Sequence, residues 1–185
     1  MEPITVNLPA LALRGLTVFP HMHLTFDVER PSSVAALERA MEGDQEIFLV
    51  TQREIGVELP EEKDLYQIGT VSRIRQILRL SSGSARVMVE GRCRARLRRL
   101  WQTSPYLQVH VEELVPAPDS RGPRTEALLR QTWNLFSEYA ELSGSLPEEI
   151  VTAVLDSRDP GYLADFIAQN IPLRHGDKQE ILEEL

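Results

Sequence analysis

The chain has little of several residue types, and each shortage excludes a class of protein. A single cysteine, Cys93, excludes an internal disulfide framework and is typical of a reducing compartment. No apolar run approaches the ~20 residues that a membrane span needs. Met1 to Asn7 lack the basic segment and apolar stretch of a signal peptide. We therefore expect a cytoplasmic protein with no membrane partner.

Motifs for catalysis are also missing. A phosphate-binding P-loop needs lysine directly after glycine, but Lys63 follows Glu62 and Lys178 follows Asp177. No serine lies in a G-x-S-x-G elbow. His21 and His23 could share one face of an extended segment, yet structural zinc requires four ligands. The sequence predicts no catalytic residue, no metal site and no bound cofactor in this chain.

The first two thirds of the chain read as strands. Alternating apolar residues mark strands around Ile4–Leu13, and Ile47–Val50 is a short, continuous apolar run. Residues 67–80 and 85–90 flank a four-residue turn and predict a hairpin, which residues 92–98 and 106–111 follow. One helix interrupts these strands, with Ser32 or Ser33 as its expected cap and Gly43 at its end.

The pattern becomes helical after a segment rich in proline and glycine. Leu129, Trp133 and Phe136 share one helix face, Ser145 with Glu148 predicts a capping box, and Asp159 predicts a cap before Pro160. We expect an α+β fold, with a β-rich pseudo-barrel lobe carrying one inserted helix, followed by an α-helical bundle lobe. The predicted domains are residues 1–116, a linker at 117–123 and a helical lobe at 124–185. Its last helix, from Asp177, is expected to continue in a longer chain.

The net charge of −8 conceals a basic band in residues 68–100, where nine arginines stand against one acidic residue. Arg92, Arg94, Arg96 and Arg98 form a stripe along one strand face, which is compatible with a phosphate backbone. Single-strand binders interleave aromatic residues on such a face, and only Trp101 is near. We favour a solvated outer sheet face without nucleic-acid binding, and a small RNA-binding β-barrel stays open as an alternative.

Four stretches follow one another in an order typical of a known family. They are Leu8–Gly15 running into Val18–Met22, then Ala40–Met41 with Ile47–Gln52, then Asp64–Val71 with Val87–Ala95, and finally Asn170–Leu173 running to Asp177–Leu182. Together they resemble the amino-terminal domain of Lon proteases over nearly the whole chain. The chain departs from the family pattern at Ala12, where proline is usual, and at Ser81-Ser82-Gly83, where Pro-Asp/Asn-Gly is common.

The resemblance implies a substrate-recognition domain of an ATP-dependent Lon protease, which degrades damaged, misfolded and short-lived regulatory proteins. The parent enzyme would be a cytoplasmic homohexamer of the AAA+ class, using ATP and Mg with a serine–lysine peptidase. This chain would itself be non-catalytic and would bind unfolded or exposed hydrophobic polypeptide. A free-standing protein with the same domain and no protease parts is the second alternative.

Selection of unfolded chains requires exposed apolar surface, because exposed hydrophobic groups distinguish unfolded from native proteins. The segment from Val18 to Met22 joins an apolar strand end to a proline that cannot extend a sheet ladder. We expect this segment to turn at the edge of the lobe and leave Phe19 or Met22 partly in water. The predicted polypeptide-binding residues are Leu13, Val18, Phe19, Pro20, Met22 and Tyr66.

Overall fold

The structure is a computed structural model that describes residues 4–115 and 122–184. These residues form six strands and five α-helices, which confirms the predicted α+β class. The strands are β1 (Thr5–Leu13), β2 (His23–Val28), β3 (Glu46–Thr51), β4 (Ile68–Arg79), β5 (Ala85–Gln102) and β6 (Leu107–Glu113). The helices are α1 (Pro31–Glu42), α2 (Pro123–Ser143), α3 (Glu148–Asp156), α4 (Pro160–Asn170) and α5 (His175–Glu183).

The predicted hairpin is confirmed as β4 and β5. The turn between them is closed by a hydrogen bond from the Leu80 amide to the Ser84 carbonyl, 2.9 Å long. Gly83 adopts a φ of +83°, a conformation that costs glycine little and other residues much. β5 then continues through the arginine stripe to Gln102, so one strand of 18 residues covers two predicted strands.

Five of the strands close into a ring. β5 pairs with β4, β4 with β3, β3 with β1, β1 with β6, and β6 again with β5. The pairing of β1 with β3 is parallel, and the other four are antiparallel. β2 lies outside this ring, on the amino-terminal half of β5.

The strand β2 is absent from the sequence predictions. Its residues alternate between exposed and more buried positions, with Leu24 and Phe26 partly buried and Val28 buried. This alternation is the period of a half-buried strand.

The two faces of β1 pack into two separate cores. Leu11 and Leu13 contribute to a cluster with α1, β3 and the hairpin, whose buried members include Leu37 and Val87. Leu8, Ala10 and Ala12 face a second cluster of apolar residues from β3, β4, β5 and β6. The ring therefore encloses one core, and α1 completes the other.

Two predicted helix caps are wrong. α1 begins at Pro31, with Arg30 as its N-cap residue, so neither Ser32 nor Ser33 caps it. Pro31 suits the first helical position because its missing amide hydrogen would have no partner there. The N-cap residue of α3 is Pro147, so Ser145 and Glu148 do not form the expected capping box.

The helical unit comprises Pro116–Leu173, and its helices are α2, α3 and α4. Leu129, Phe136, Val154 and Leu163 form its buried core, with Trp133 packed against them. The predicted cap of α4 is confirmed, since the Asp159 carboxylate accepts a 2.9 Å hydrogen bond from the Tyr162 amide. α4 ends before Ile171, which is extended, because a residue that precedes a proline, here Pro172, disfavours the helical conformation.

The last helix does not belong to the helical unit, so the expected lobe of residues 124–185 is too long. Residues 174–185 cluster with the β-rich unit, Met1–Val115. Gln179 and Leu182 are buried, and the Gln179 side chain donates a 3.0 Å hydrogen bond to the Ile68 carbonyl of β4. The predicted linker at 117–123 lies mostly outside the described residues, and Pro123 is already helical.

Candidate functional site

The structure buries most of the predicted polypeptide-binding segment. Leu13, Val18, Phe19 and Pro20 are all buried, and Phe19 is completely inaccessible to solvent. Of the two residues expected to lie partly in water, Phe19 or Met22, only Met22 does so. Met22 retains partial exposure while it packs against the core that includes Leu13 and Val18.

Polar anchors and a close backbone approach explain this burial. The Thr70 hydroxyl donates a 2.6 Å hydrogen bond to the Val18 carbonyl, and the Thr51 hydroxyl donates a 2.7 Å bond to the Leu16 carbonyl. A Cβ atom on Gly91 would overlap the Phe19 carbonyl oxygen, so only glycine allows β5 to approach this segment. The prediction that a strand ends at Val18 to Pro20 is wrong, because β1 ends at Leu13, and a proline carries no information about what covers Phe19.

Tyr66 lies in a different part of the β-rich unit. It is partly exposed and packs against the second core, whereas Met22 packs against the first. The guanidinium of Arg53 lies 4.7 Å from the centre of the Tyr66 ring, which is a cation–π contact. The structure thus leaves Tyr66 and Met22 as separate, partly exposed apolar positions.

An exposed apolar surface that the sequence predictions missed lies on the outer face of the hairpin. Leu78 is 54% exposed and Met88 is 40% exposed. They line a depression of about 200 Å³, here called the outer groove, formed by Thr25, Gln76, Leu78, Arg86 and Met88. In β5 the buried Val87 and Val89 alternate with Arg86 and Met88, so Met88 falls on a solvent-facing position. That alternation was the signal available in the sequence.

Strand pairing places the residues of the outer groove next to one another. Met88 is the pairing partner of both Gln76 on β4 and Thr25 on β2. The Arg86 guanidinium next to it binds the Asp27 carboxylate through two hydrogen bonds, of 2.7 and 2.9 Å. The hydrogen bond from Arg86 lowers the pKa of Asp27, which therefore stays ionised at neutral pH. The result is an apolar strip with a neutralised charge pair at one end.

A second depression, here called the inner cavity, lies where the end of β1 faces the end of β2. It measures about 340 Å³, and its apolar lining comes from Leu11, Leu13, Leu16, Phe26 and Val28. Arg14 and Arg30 also line it; Arg14 forms a 2.9 Å ion pair with Glu58, and Arg30 donates a 3.1 Å hydrogen bond to the Val57 carbonyl. Burial lowers the pKa of Arg30, and the positive charge of the nearby Arg14 lowers it further. Asp27, Glu29 and Ser33 line it as well, so the inner cavity has both an apolar and a polar side.

The helical unit has a depression of its own, about 590 Å³ in volume, lined by residues that include Trp133, Arg130 and Glu126. The Arg158 guanidinium lies 4.3 Å from the centre of the Trp133 ring. The Trp133 indole N–H is buried without a hydrogen-bond partner among residues 4–115 and 122–184. The sequence predictions placed Trp133 in the core face of its helix, and the structure confirms that it packs there.

Two of the four arginines of the stripe form ion pairs with neighbouring carboxylates. Arg92 forms ion pairs with Glu113 and, at 2.9 Å, with Glu46, and Arg98 pairs with Glu112. Arg94 donates a 2.9 Å hydrogen bond to the Leu182 carbonyl. Guanidinium groups held in this way are poorly placed to contact a phosphate backbone. The structure favours the solvated sheet face over the RNA-binding alternative.

Cys93 packs against the second core, as the sequence predicted for a small hydrophobic residue. Burial raises the pKa of the Cys93 thiol to about 11, although the Arg92 charge opposes the shift. A thiol that remains protonated at neutral pH is a poor nucleophile. Cys93 is therefore not suited to covalent chemistry.

The described residues hold no group of three or more histidine, cysteine, aspartate or glutamate side chains arranged to bind a metal ion. None of the helices in the described ranges is long and apolar enough to cross a membrane.

Comparison with known protein families gives one match that covers nearly the whole chain. Residues 7–185 match the family described as the ATP-dependent protease La (LON) substrate-binding domain. The chain is 44% identical to the Lon protease of Syntrophomonas wolfei over 177 residues, or 96% of this chain and 22% of that protein. It is 40% identical to Lon protease 1 of Bacillus subtilis over 182 residues, or 98% of this chain and 23% of that protein. The chain thus spans less than a quarter of the length of these two relatives.

Solved structures share the fold. The N-terminal domain of the Mycobacterium avium complex Lon protease superposes with a TM-score of 0.77 at 20% identity, covering 97% of this chain and 91% of that one. A Lon N-terminal domain protein from Xanthomonas campestris gives a TM-score of 0.65 at 16% identity, covering 97% and 90%.

Proposed function

The chain belongs to the family of Lon protease substrate-binding domains, and on that premise we propose that it binds unfolded or damaged polypeptide on behalf of a Lon-type protease. The observation that carries this proposal is the family match over residues 7–185. The exposed apolar strip on the hairpin supports it, because binding to unfolded chains requires hydrophobic surface that is accessible in the folded domain.

The binding surface that we propose is centred on Leu78 and Met88 in the outer groove. Met22 and Tyr66 are retained from the sequence predictions as partly exposed apolar positions. Val18, Phe19 and Pro20 are too buried to contact a bound chain and act as core residues in this account, whereas Leu13 is buried but lines the inner cavity. Methionine suits such a surface because its unbranched, polarisable side chain adapts to many partners.

We assign no catalytic step to this domain. In the proposed parent enzyme, ATP and Mg would serve a hexameric AAA+ ring, and a serine–lysine peptidase would cleave the substrate. Weak binding suits a domain in such an assembly, because six copies raise the effective concentration without trapping folded proteins. We propose an affinity in the micromolar range or weaker, on the order of −8 kcal/mol or less favourable.

The RNA-binding alternative and the free-standing alternative differ in what supports them. An RNA-binding role loses its main support because ion pairs engage Arg92 and Arg98. The second alternative is a free-standing protein with the same fold. It differs from the proposed function only in that its gene would encode no ATPase or peptidase domain. An ATPase motif in the coding sequence after Leu185 would select the protease parent.

The experiment that tests the proposed function compares one protein in two states. Fluorescently labelled α-lactalbumin, either reduced and carboxymethylated or native, is titrated with the chain and followed by anisotropy. We expect saturable binding of the unfolded form and at least about tenfold weaker binding of the native form. Equal binding of both forms, or no binding of the unfolded one, would contradict the proposal.

A further inference from the structure

The strand β2 has one open side. Among the described residues it pairs with β5 and with no other strand. Its register runs from His23 opposite Glu90 to Val28 opposite Ala85. The side of β2 that faces away from β5 is therefore an edge with main-chain groups that a further strand can use.

The register identifies which main-chain groups point outward. The Gly91 amide donates a 2.9 Å hydrogen bond to the Met22 carbonyl, and the Gly91 carbonyl accepts a 2.8 Å bond from the His21 amide, so His21 and Met22 form a bulge that is hydrogen-bonded to Gly91. Hydrogen-bonded and non-hydrogen-bonded pairs alternate along an antiparallel ladder. Leu24 and Phe26 therefore bond to β5, while His23, Thr25 and Asp27 direct their amide and carbonyl groups to the open edge.

We propose that the open edge of β2 accepts an extended segment of unfolded polypeptide as an added antiparallel strand. This inference rests on the proposed function and specifies its mode: main-chain hydrogen bonds recruit the substrate whatever its sequence. Main-chain recognition suits a domain that must bind many unrelated unfolded chains, because every residue except proline offers both an N–H and a C=O group.

Depressions on both faces of the sheet lie beside this edge. The outer groove includes Thr25 of β2, and the inner cavity includes Phe26 and Val28 of the same strand. Successive side chains of an added strand point to opposite faces. Alternate side chains of the substrate would therefore lie beside Thr25, at the near end of the outer groove, on one face and over the inner cavity on the other.

The charges around the edge favour a neutral occupant. Asp27 is paired with Arg86, Arg14 with Glu58, and Glu90 with Arg75. With these charges neutralised in pairs, the edge has no field of one sign to attract a nucleic acid or a highly charged peptide. An uncharged, β-prone segment complements it, and such segments are buried in native proteins and exposed in unfolded ones.

A second copy of this chain is a poorer occupant of the same edge. In a pairing between two β2 strands, each copy would present Leu24, Phe26 and Val28 on its inner face. These side chains already pack in the core of their own copy, so they are not available to fill the inner cavity of the other. The side chains of a flexible substrate strand are not packed in a core of their own.

The first test alters the edge of the protein without altering its surface charge. Thr25→Pro removes an outward-facing amide, and proline is tolerated at such an edge position because no ladder bond is lost. The matched control, Thr103→Val, removes a threonine hydroxyl from an exposed loop residue that lines neither depression and leaves every amide of β2 in place. The probe is a fluorescent decapeptide in which valine and threonine alternate between terminal lysines, titrated into the 185-residue chain. We expect Thr25→Pro to weaken binding at least about tenfold and Thr103→Val to leave it within about twofold.

The second test alters the probe and does not depend on the folding of a variant. N-methylation of alternate central amides leaves one edge of the decapeptide free, and methylation of all central amides blocks both edges. We expect the first peptide to bind and the second to bind at least about tenfold more weakly than the unmodified one. In the complex, amide hydrogen exchange at Thr25 and Asp27 should slow, because these amides become hydrogen-bonded.

The outcomes separate this inference from the proposed function. If the chain binds unfolded α-lactalbumin but methylation and Thr25→Pro have no effect, strand addition is wrong and the proposed function stands. If the chain binds no unfolded polypeptide, both are wrong. If sedimentation shows a dimer that Thr25→Pro dissolves, and the peptide does not compete with it, the edge serves self-association and the inference is overturned.

Discussion

Arg94 donates a 2.9 Å hydrogen bond from its Nε atom to the main-chain oxygen of Leu182, and so joins α5 to β5. The Gln179 side chain adds a second connection, to the Ile68 carbonyl of β4. Both bonds bring the last helix of the sequence onto the sheet that is formed by its first two thirds. The carboxyl-terminal helix is therefore part of the β-rich unit, although the helical unit precedes it in the chain.

Truncation of Leu182 tests this attachment. Leu182 is buried, so Leu182→Ala should lower the free energy of unfolding of the β-rich unit by about 2–4 kcal/mol, because it removes buried methyl groups and leaves a cavity. Glu180→Ala, on an exposed position of the same helix, should change stability by less than about 0.5 kcal/mol. Urea unfolding measures both values. Equal, small effects of the two substitutions would show that α5 is not packed on the sheet.

The ion pairs of the arginine stripe predict a change in nucleic-acid binding. Glu112→Gln together with Glu113→Gln removes the carboxylates that hold Arg98 and Arg92, so binding of single-stranded DNA at low salt should increase at least about threefold over the wild type. Glu138→Gln with Glu141→Gln removes the same net charge from exposed positions of α2 and is the matched control. If both double variants bind DNA equally, net charge alone accounts for the effect and the pairing does not matter.

Gly91 should tolerate no side chain. Gly91→Ala would bring a Cβ atom against the Phe19 carbonyl, and we expect it to lower the free energy of unfolding by at least about 2 kcal/mol. Gly56→Ala is the control, because a Cβ there meets no atom within 4 Å and the residue has no positive φ. Thermal unfolding compares the two variants. A wild-type melting temperature for Gly91→Ala would refute the close approach of β5 to the segment before His21.

The raised pKa of Cys93, about 11, predicts that its thiol reacts slowly with alkylating reagents. At pH 8 its thiolate fraction should be on the order of a hundredfold smaller than that of an unperturbed cysteine, so alkylation by iodoacetamide should be slow in the folded chain. Reaction should accelerate as the pH rises toward 11, and unfolding in urea should restore the rate of a free thiol. A fast reaction of the folded protein at pH 8 would show that burial does not control this group.

Local patterns predicted the fold well where the signal is contained within one element. Residues Ser81 to Ser84 indicated the hairpin turn, and Asp159 before Pro160 indicated a helix cap; both are confirmed. Periodicity predicted that the chain near Asp177 is helical. It could not predict that α5 packs on β4, because a helical period specifies a face and not the partner of that face.

The predicted binding residues show a similar limit. The prediction for Phe19 rested on Pro20 and the local rule that proline ends a strand, although β1 already ends at Leu13. The burial of Phe19 depends on Gly91, which lies in a distant part of the sequence and approaches only in the folded chain. Met88, by contrast, stands at a solvent-facing position of an alternating strand. A search for apolar residues at such positions would have found it from the sequence.

The central claim is that this domain binds unfolded polypeptide through the outer groove. Leu78→Ser with Met88→Ser removes two exposed apolar side chains from the groove, at 54% and 40% exposure. Leu135→Ser with Leu142→Ser removes two from α2, at 58% and 82% exposure, and is the matched control. All variants must first show wild-type thermal unfolding, which is expected because neither pair is in a core.

The decisive measurement is the dissociation constant of reduced, carboxymethylated α-lactalbumin for the wild type and the two double variants, by fluorescence anisotropy. The account predicts that Leu78→Ser with Met88→Ser weakens binding at least about tenfold, roughly 1.4 kcal/mol, whereas Leu135→Ser with Leu142→Ser changes it by less than about twofold. Wild-type affinity in the outer-groove variant would contradict the account.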